Sequence, residues 1–291
     1  MKRHSVLQTL WYLVNGMLLA SIVFLLYSIA WEHSTRQYLR GFSDAIVPAS
    51  ASQEQKAEAI LSWMEHGPSR RATSVPGALP QRDPEETLNY QALLRICGTA
   101  TNAFVNLANN SGLPARRLIL LDKNLEATHV VAEVQFRKRW VVVDPSFRAI
   151  LRDANGRLLT ANDLRDPQVF TQATGKLAGY NPSYSYEQTT NLRWARVPLI
   201  GKGLQNLMNH RFPTWDDSVF LTLLVERESY GAVALALLLV VFFYLTRVFL
   251  LRYGERRLGL SLSRLRWRLI EAGGAFFRRP KWTSAERRIK R

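Results

Sequence analysis

Cys97 is the only cysteine among 291 residues, so any thiol chemistry rests on it alone and an intramolecular disulfide is excluded. The residues after it, Gly98 to Asn110, put Phe104, Leu107 and Ala108 on one helical face, and Gly112 with Pro114 beyond it stops that helix. A thiol that opens a helix faces the positive end of the macrodipole and unpaired N–H groups, which favour thiolate and lower its pKa from ~8.5. The competing reading is a small buried hydrophobe, because unpaired Cys is among the most buried residue types. His129 and Asp144 are the matching candidates for base and orienter. A thiolate attacks an acyl group, an imidazole takes and returns the proton, and a carboxylate holds the tautomer and stabilises the cation. Against this stands the reading of three unrelated residues, a core histidine and a strand-end aspartate among them.

The elements around them decide whether the three can meet. Arg117 to Leu121 reads as a strand. From Thr128 to Phe136, Val130, Ala132, Val134 and Phe136 alternate with His129, Val131, Glu133 and Gln135, the pattern of a half-buried strand with His129 on its more polar face. Arg139 to Asp144 is a second strand ended by Pro145, after the polar turn Arg137-Lys138. A hairpin closed on that two-residue turn sets Phe136 opposite Arg139 and Val131 opposite Asp144. His129 and Asp144 then become diagonal neighbours on one face, ~7–8 Å apart along the backbone. A three-residue loop would reverse the parity. Upstream, Ala57, Ile60, Leu61 and Met64 give a helix over Gln53–Met64 with Ser52 as N-cap. Downstream, Ile150–Leu159 with Asn155-Gly156 reads as a second hairpin, and Thr160 to Asp163 starts a short helix. Tyr180 to Tyr186 is a rigid aromatic loop suited to a cleft wall or to a membrane interface.

The formal charge of +16 first suggests a nucleic-acid partner, but its distribution does not. Arg252 to Arg291 carries 13 Lys/Arg and 3 Glu, whereas Glu32 to Glu228 is nearly balanced at 23 basic and 20 acidic residues. Two uncharged apolar runs, Val6–Trp31 and Ser229–Thr246, reach the ~20 residues of a membrane span, the second by continuing to Leu251. The first is longer than a signal-peptide h-region, which favours an uncleaved anchor. The second is apolar on every face, unlike an ordinary core helix. Lys2, Arg3 and the Arg-rich tail place both termini in the cytoplasm and the central domain outside. In the tail Leu258, Leu262, Leu265 and Leu269 form a stripe that reads as an interfacial helix against anionic lipid.

The expected organisation is a cytoplasmic N-terminus at 1–5, a transmembrane helix at 6–31, and a stalk and lead-in helix at 32–80. A core domain at 81–200, a juxtamembrane segment at 201–228, a transmembrane helix at 229–251 and a basic cytoplasmic tail at 252–291 follow.

Cys97-Gly98, then Gly112-Leu-Pro-Ala-Arg116, His129-Val-Val-Ala-Glu133 and Trp140-Val-Val-Val-Asp144-Pro145 resemble, in order, the motifs of the transglutaminase-like superfamily. The resemblance covers about Leu88 to Phe147. It implies an α+β, papain-like fold with the Cys-bearing helix packed on an antiparallel sheet, and a Cys-His-Asp triad of Cys97, His129 and Asp144. Animal transglutaminases carry Trp after the nucleophile and after the His, where this chain has Gly98 and Val130. With no acidic loop for calcium, that points away from calcium-dependent cross-linking. The family implies a cysteine peptidase, amidase or acyltransferase, working on peptide or protein substrates through a thioester and needing no metal or cofactor. The Cys97 N–H, with the Gln91 side chain as a candidate second donor, would form the oxyanion hole, although Gln91 also reads as an ordinary surface residue. Arg116 is expected to pair with Glu133, and Trp140 to lie in the core. The setting expected is the bacterial inner membrane with the domain periplasmic, contacts to lipid through the spans and tail, and no nucleic acid. The alternatives are a non-catalytic binding module and a subunit of an envelope assembly complex, for instance for polysaccharide.

Overall fold

The computed structural model describes residues 2–67, 84–89, 93–191 and 227–258, with the single positions 211, 219 and 224. They fall into two compact units, one of 1–25 with 235–291 and one of 26–234.

The first unit holds the N-terminal part of α1 (Lys2–Ile46) and most of α6 (Glu228–Leu258). Both helices are long and apolar enough to cross a membrane, with stretches of mean hydropathy 2.1 and 2.5. Only 17% and 11% of those stretches is buried, which is not how a soluble core helix sits. Leu7, Trp11 and Val14 pack against Leu250. The leucine stripe beyond Leu258 lies outside the described residues.

The second unit is a five-stranded antiparallel sheet, β1 (Ala115–Leu121), β2 (Ala127–Phe136), β3 (Arg139–Asp144), β4 (Ala149–Ile150) and β5 (Thr189–Thr190), ordered β4-β3-β2-β1-β5. Its period of two divides the side chains cleanly. Ala132, Val134, Val141 and Val143 face α2 (Gln53–His66) and α4 (Cys97–Asn110), while Leu118, Leu120, Val131 and Val142 face a layer formed by 149–186. The β2–β3 ladder runs from Ala132 opposite Val143 to Phe136 opposite Arg139, the register expected from a two-residue turn. Arg137 and Lys138 both adopt positive φ, 45° and 69°, as a type I′ turn requires. Ser52 caps α2 in a reciprocal box with Gln55. The second hairpin pairs Arg152 with Leu158, and Asp163 opens a single 3-10 turn before α5 (Pro167–Thr174). A further short helix, α3, spans Pro84–Asn89.

The segment after Glu32, expected as a stalk, is helical to Ile46, and Leu39 and Val47 are buried in the same core as α2 and α4. Polar composition misled here, because α1 is amphipathic at this end and its buried face needs only an apolar stripe. Glu32 itself is buried, accepting a hydrogen bond from Ser229 Oγ at 2.6 Å and pairing with Arg227 at 3.3 Å and Arg36 at 3.4 Å. Trp140, expected in the core, is half-buried and forms a platform under the Arg116 guanidinium, 4.2 Å from its centroid.

Candidate active site

Cys97 occupies the first helical position of α4, where the backbone N–H has no acceptor within the helix. The N-cap residue is Ile96, and no side chain caps the helix. Two hydrogen bonds hold α4 in register with the sheet. Thr101 Oγ1 donates to Val130 O at 3.0 Å, one residue from His129, and Arg117 Nη2 donates to Gly98 O at 2.8 Å. At the far end Asn109 bonds both backbone groups of Ala115, closing the Gly112–Ala115 turn into β1. A Cβ on Gly98 would meet Arg117 Nη2 at 4.0 Å, an ordinary van der Waals contact.

His129 projects from β2 toward Asp144 on β3. Its Nε2 lies 2.7 Å from Asp144 Oδ2, and its exposure is 3% against 0% for the aspartate. Asp144 Oδ1 accepts the Ser146 and Phe147 N–H groups at 3.0 and 3.3 Å, fixing the carboxylate as the chain turns out of β3. The Cys97 thiol is hydrogen-bonded to the same imidazole. The sheet and α4 thus bring together all three residues of the expected set.

The electrostatics follow from this arrangement. Burial pushes the Cys97 thiol up, but the hydrogen bond to His129, the charge of that ring and backbone hydrogen bonds at Val130 and Gly98 outweigh it, leaving the pKa below the ordinary 9.0. Burial works against the His129 cation. The hydrogen bonds to Asp144 and Cys97 and the charges of both reverse that effect and raise it from 6.5 to about 9. Both shifts run in the direction of a thiolate–imidazolium pair.

Among the described residues no cluster of three or more metal-ligating side chains occurs. Gln91, the candidate second oxyanion donor, lies outside the described residues. Arg116 Nε meets Glu133 Oε2 at 2.7 Å, both buried, as the sequence led us to expect. The contacts that sequence reasoning missed are Arg117 at the first turn of α4, Phe147 edge-on to His129, and Tyr184 stacked on it. The Tyr180–Tyr186 loop carried an aromatic signal, but nothing in its composition says which ring reaches the imidazole.

No curated protein matches the chain. Residues 40–145, from the last turns of α1 to Pro145 and including Cys97, His129 and Asp144, match the family model of the transglutaminase-like superfamily, so this stretch of the chain forms a transglutaminase-like domain.

Proposed function

We propose that the protein is a membrane-anchored, outward-facing cysteine hydrolase or acyltransferase that acts on peptide or amide bonds through a thioester, with a papain-like division of labour. The observation that carries this reading is the buried His129, held between Asp144 and a thiol of depressed pKa. The Cys97 thiolate attacks the carbonyl carbon, and the developing oxyanion is received by the N–H at the start of α4. The His129 imidazolium gives its proton to the departing amine as the C–N bond breaks. Water or a second amine then attacks the thioester, His129 takes its proton, and the thiolate is restored. Asp144 keeps the imidazole in one tautomer throughout.

The basic residues at both ends of the chain support cytoplasmic termini and an external domain in a bacterial inner membrane. Lipid contact through the two spans and the basic tail, and a peptide or protein substrate, belong to the same proposal. A second reading, a domain that binds rather than cleaves within an envelope assembly, draws on one observation, the Tyr184 ring that covers His129.

The full-length chain in detergent, mixed with p-nitrophenyl acetate, should release a stoichiometric burst of nitrophenolate and carry one acetyl group on Cys97 by mass spectrometry. Cys97→Ala should show neither. Absence of both an acyl-enzyme and any Cys97-dependent release of nitrophenolate, burst or steady, would overturn the catalytic reading in favour of binding.

A further inference from the structure

We propose that Tyr184 is a positioning residue for His129: its ring lies flat on the imidazole and holds it in the plane that joins Cys97 to Asp144. The proposal rests on the reading of those three residues as a working set. The two rings are 4.3 Å apart between centroids and 1° from parallel. Phe147 and Tyr180 meet the imidazole edge-on at 6.1 and 6.0 Å, and Tyr180 also stands edge-on to Tyr184 at 5.5 Å. An imidazole tethered through Nε2 alone can still swing about that bond, away from the thiol. A ring stacked on its face removes this freedom.

The loop that delivers Tyr184 is anchored on both sides. Before it, Tyr180 N–H donates to Leu177 O at 3.1 Å, and Asn181 Oδ1 accepts from both N–H and Oγ of Ser183. After it, Tyr186 is buried in the second core layer, Leu121 N–H donates to Gln188 O, and β5 pairs with β1. The titratable groups facing His129 are Asp144 from β3, Cys97 from α4, and Tyr180 and Tyr184 from the loop. Among these Tyr184 has a second effect, because an aromatic face attracts a cation and so favours imidazolium over imidazole.

The test is the rate of Cys97 alkylation by iodoacetamide against pH, on the full-length protein in detergent, where no other thiol contributes. Tyr184→Phe keeps the stacked ring and should keep the wild-type profile. Tyr184→Leu keeps apolar bulk without the ring and should lower the rate at pH 6 about three- to fivefold, moving the inflection upward. Tyr184→Met serves the same purpose if the Leu variant does not fold.

A Leu or Met variant with the wild-type profile, alongside a His129→Ala variant that loses low-pH reactivity, overturns the role of Tyr184 and leaves the nucleophilic pair standing. A Phe variant as impaired as the Leu variant overturns it too, since the hydroxyl and not the ring would then matter. A wild-type thiol that titrates as an ordinary cysteine overturns both this proposal and the one beneath it.

Discussion

His129 binds its proton more tightly in the folded chain than in the unfolded one, with a pKa of about 9 against 6.5. Its stabilising contribution is therefore fully present below pH 6.5 and lost as pH rises through about 9. Cys97 runs the other way. Its pKa is depressed below 9.0, so its contribution is present above 9.0 and lost as pH falls through the folded value. Between the folded Cys97 value and 9.0 the two slopes oppose each other, because a proton passed from thiol to imidazole changes no net proton count. Replacing the thiol exposes the histidine alone. The melting temperature of Cys97→Ser, measured relative to wild type at a series of pH values, should fall as pH rises from 6.5 toward 9, with Asp144 still holding the imidazolium. A difference that does not vary with pH would mean that His129 is not held charged in the fold.

The elements carry the site through a few strong cross-links. Arg116 on β1 and Glu133 on β2 are register partners, and their side chains form a buried pair over the Trp140 ring on the same sheet face as His129. Breaking a buried ion pair by removing one partner is strongly destabilising in general, whereas replacing both with well-packed apolar groups is often close to neutral. Glu133→Ala should destabilise the domain by about 3–5 kcal/mol, and Arg116→Met with Glu133→Leu together by far less. Urea unfolding of the detergent-solubilised chain measures both. If Glu133→Ala unfolds at the wild-type midpoint, the pair is not what holds β1 and β2 together at this end. Thr101 works on a smaller scale, tying α4 to β2 by one hydroxyl at the residue beside His129.

For the whole molecule, the proposed topology puts the central domain outside and the C-terminal end of α6 in the cytoplasm. Lys123 is exposed in the turn between β1 and β2, and Arg256 is exposed near the end of α6. In a Cys97→Ser background, Lys123→Cys should react with a membrane-impermeant maleimide once the outer envelope is opened. Arg256→Cys should react only after the inner membrane is broken. The reverse pattern would place the domain inside and the Arg-rich tail outside, contrary to the retention of Lys and Arg on the cytoplasmic side.

Local periodicity is enough to place several of these features without a structure. The alternation of Val130, Ala132, Val134 and Phe136, with a two-residue turn, sets the β2–β3 register and hence puts His129 and Asp144 on one face. The helix from Cys97, the cap at Ser52 and the two apolar runs are likewise properties of neighbouring residues. What the tertiary structure alone decides lies between elements distant in the chain. It seats Cys97 against a histidine from another layer, lays Tyr184 on that ring, brings Arg117 to Gly98, and extends α1 helically into the core through Leu39. The physical reason is that backbone hydrogen bonding imposes a short period legible in sequence, while the meeting of layers depends on how whole faces pack, and packing leaves no periodic mark on the residues that touch.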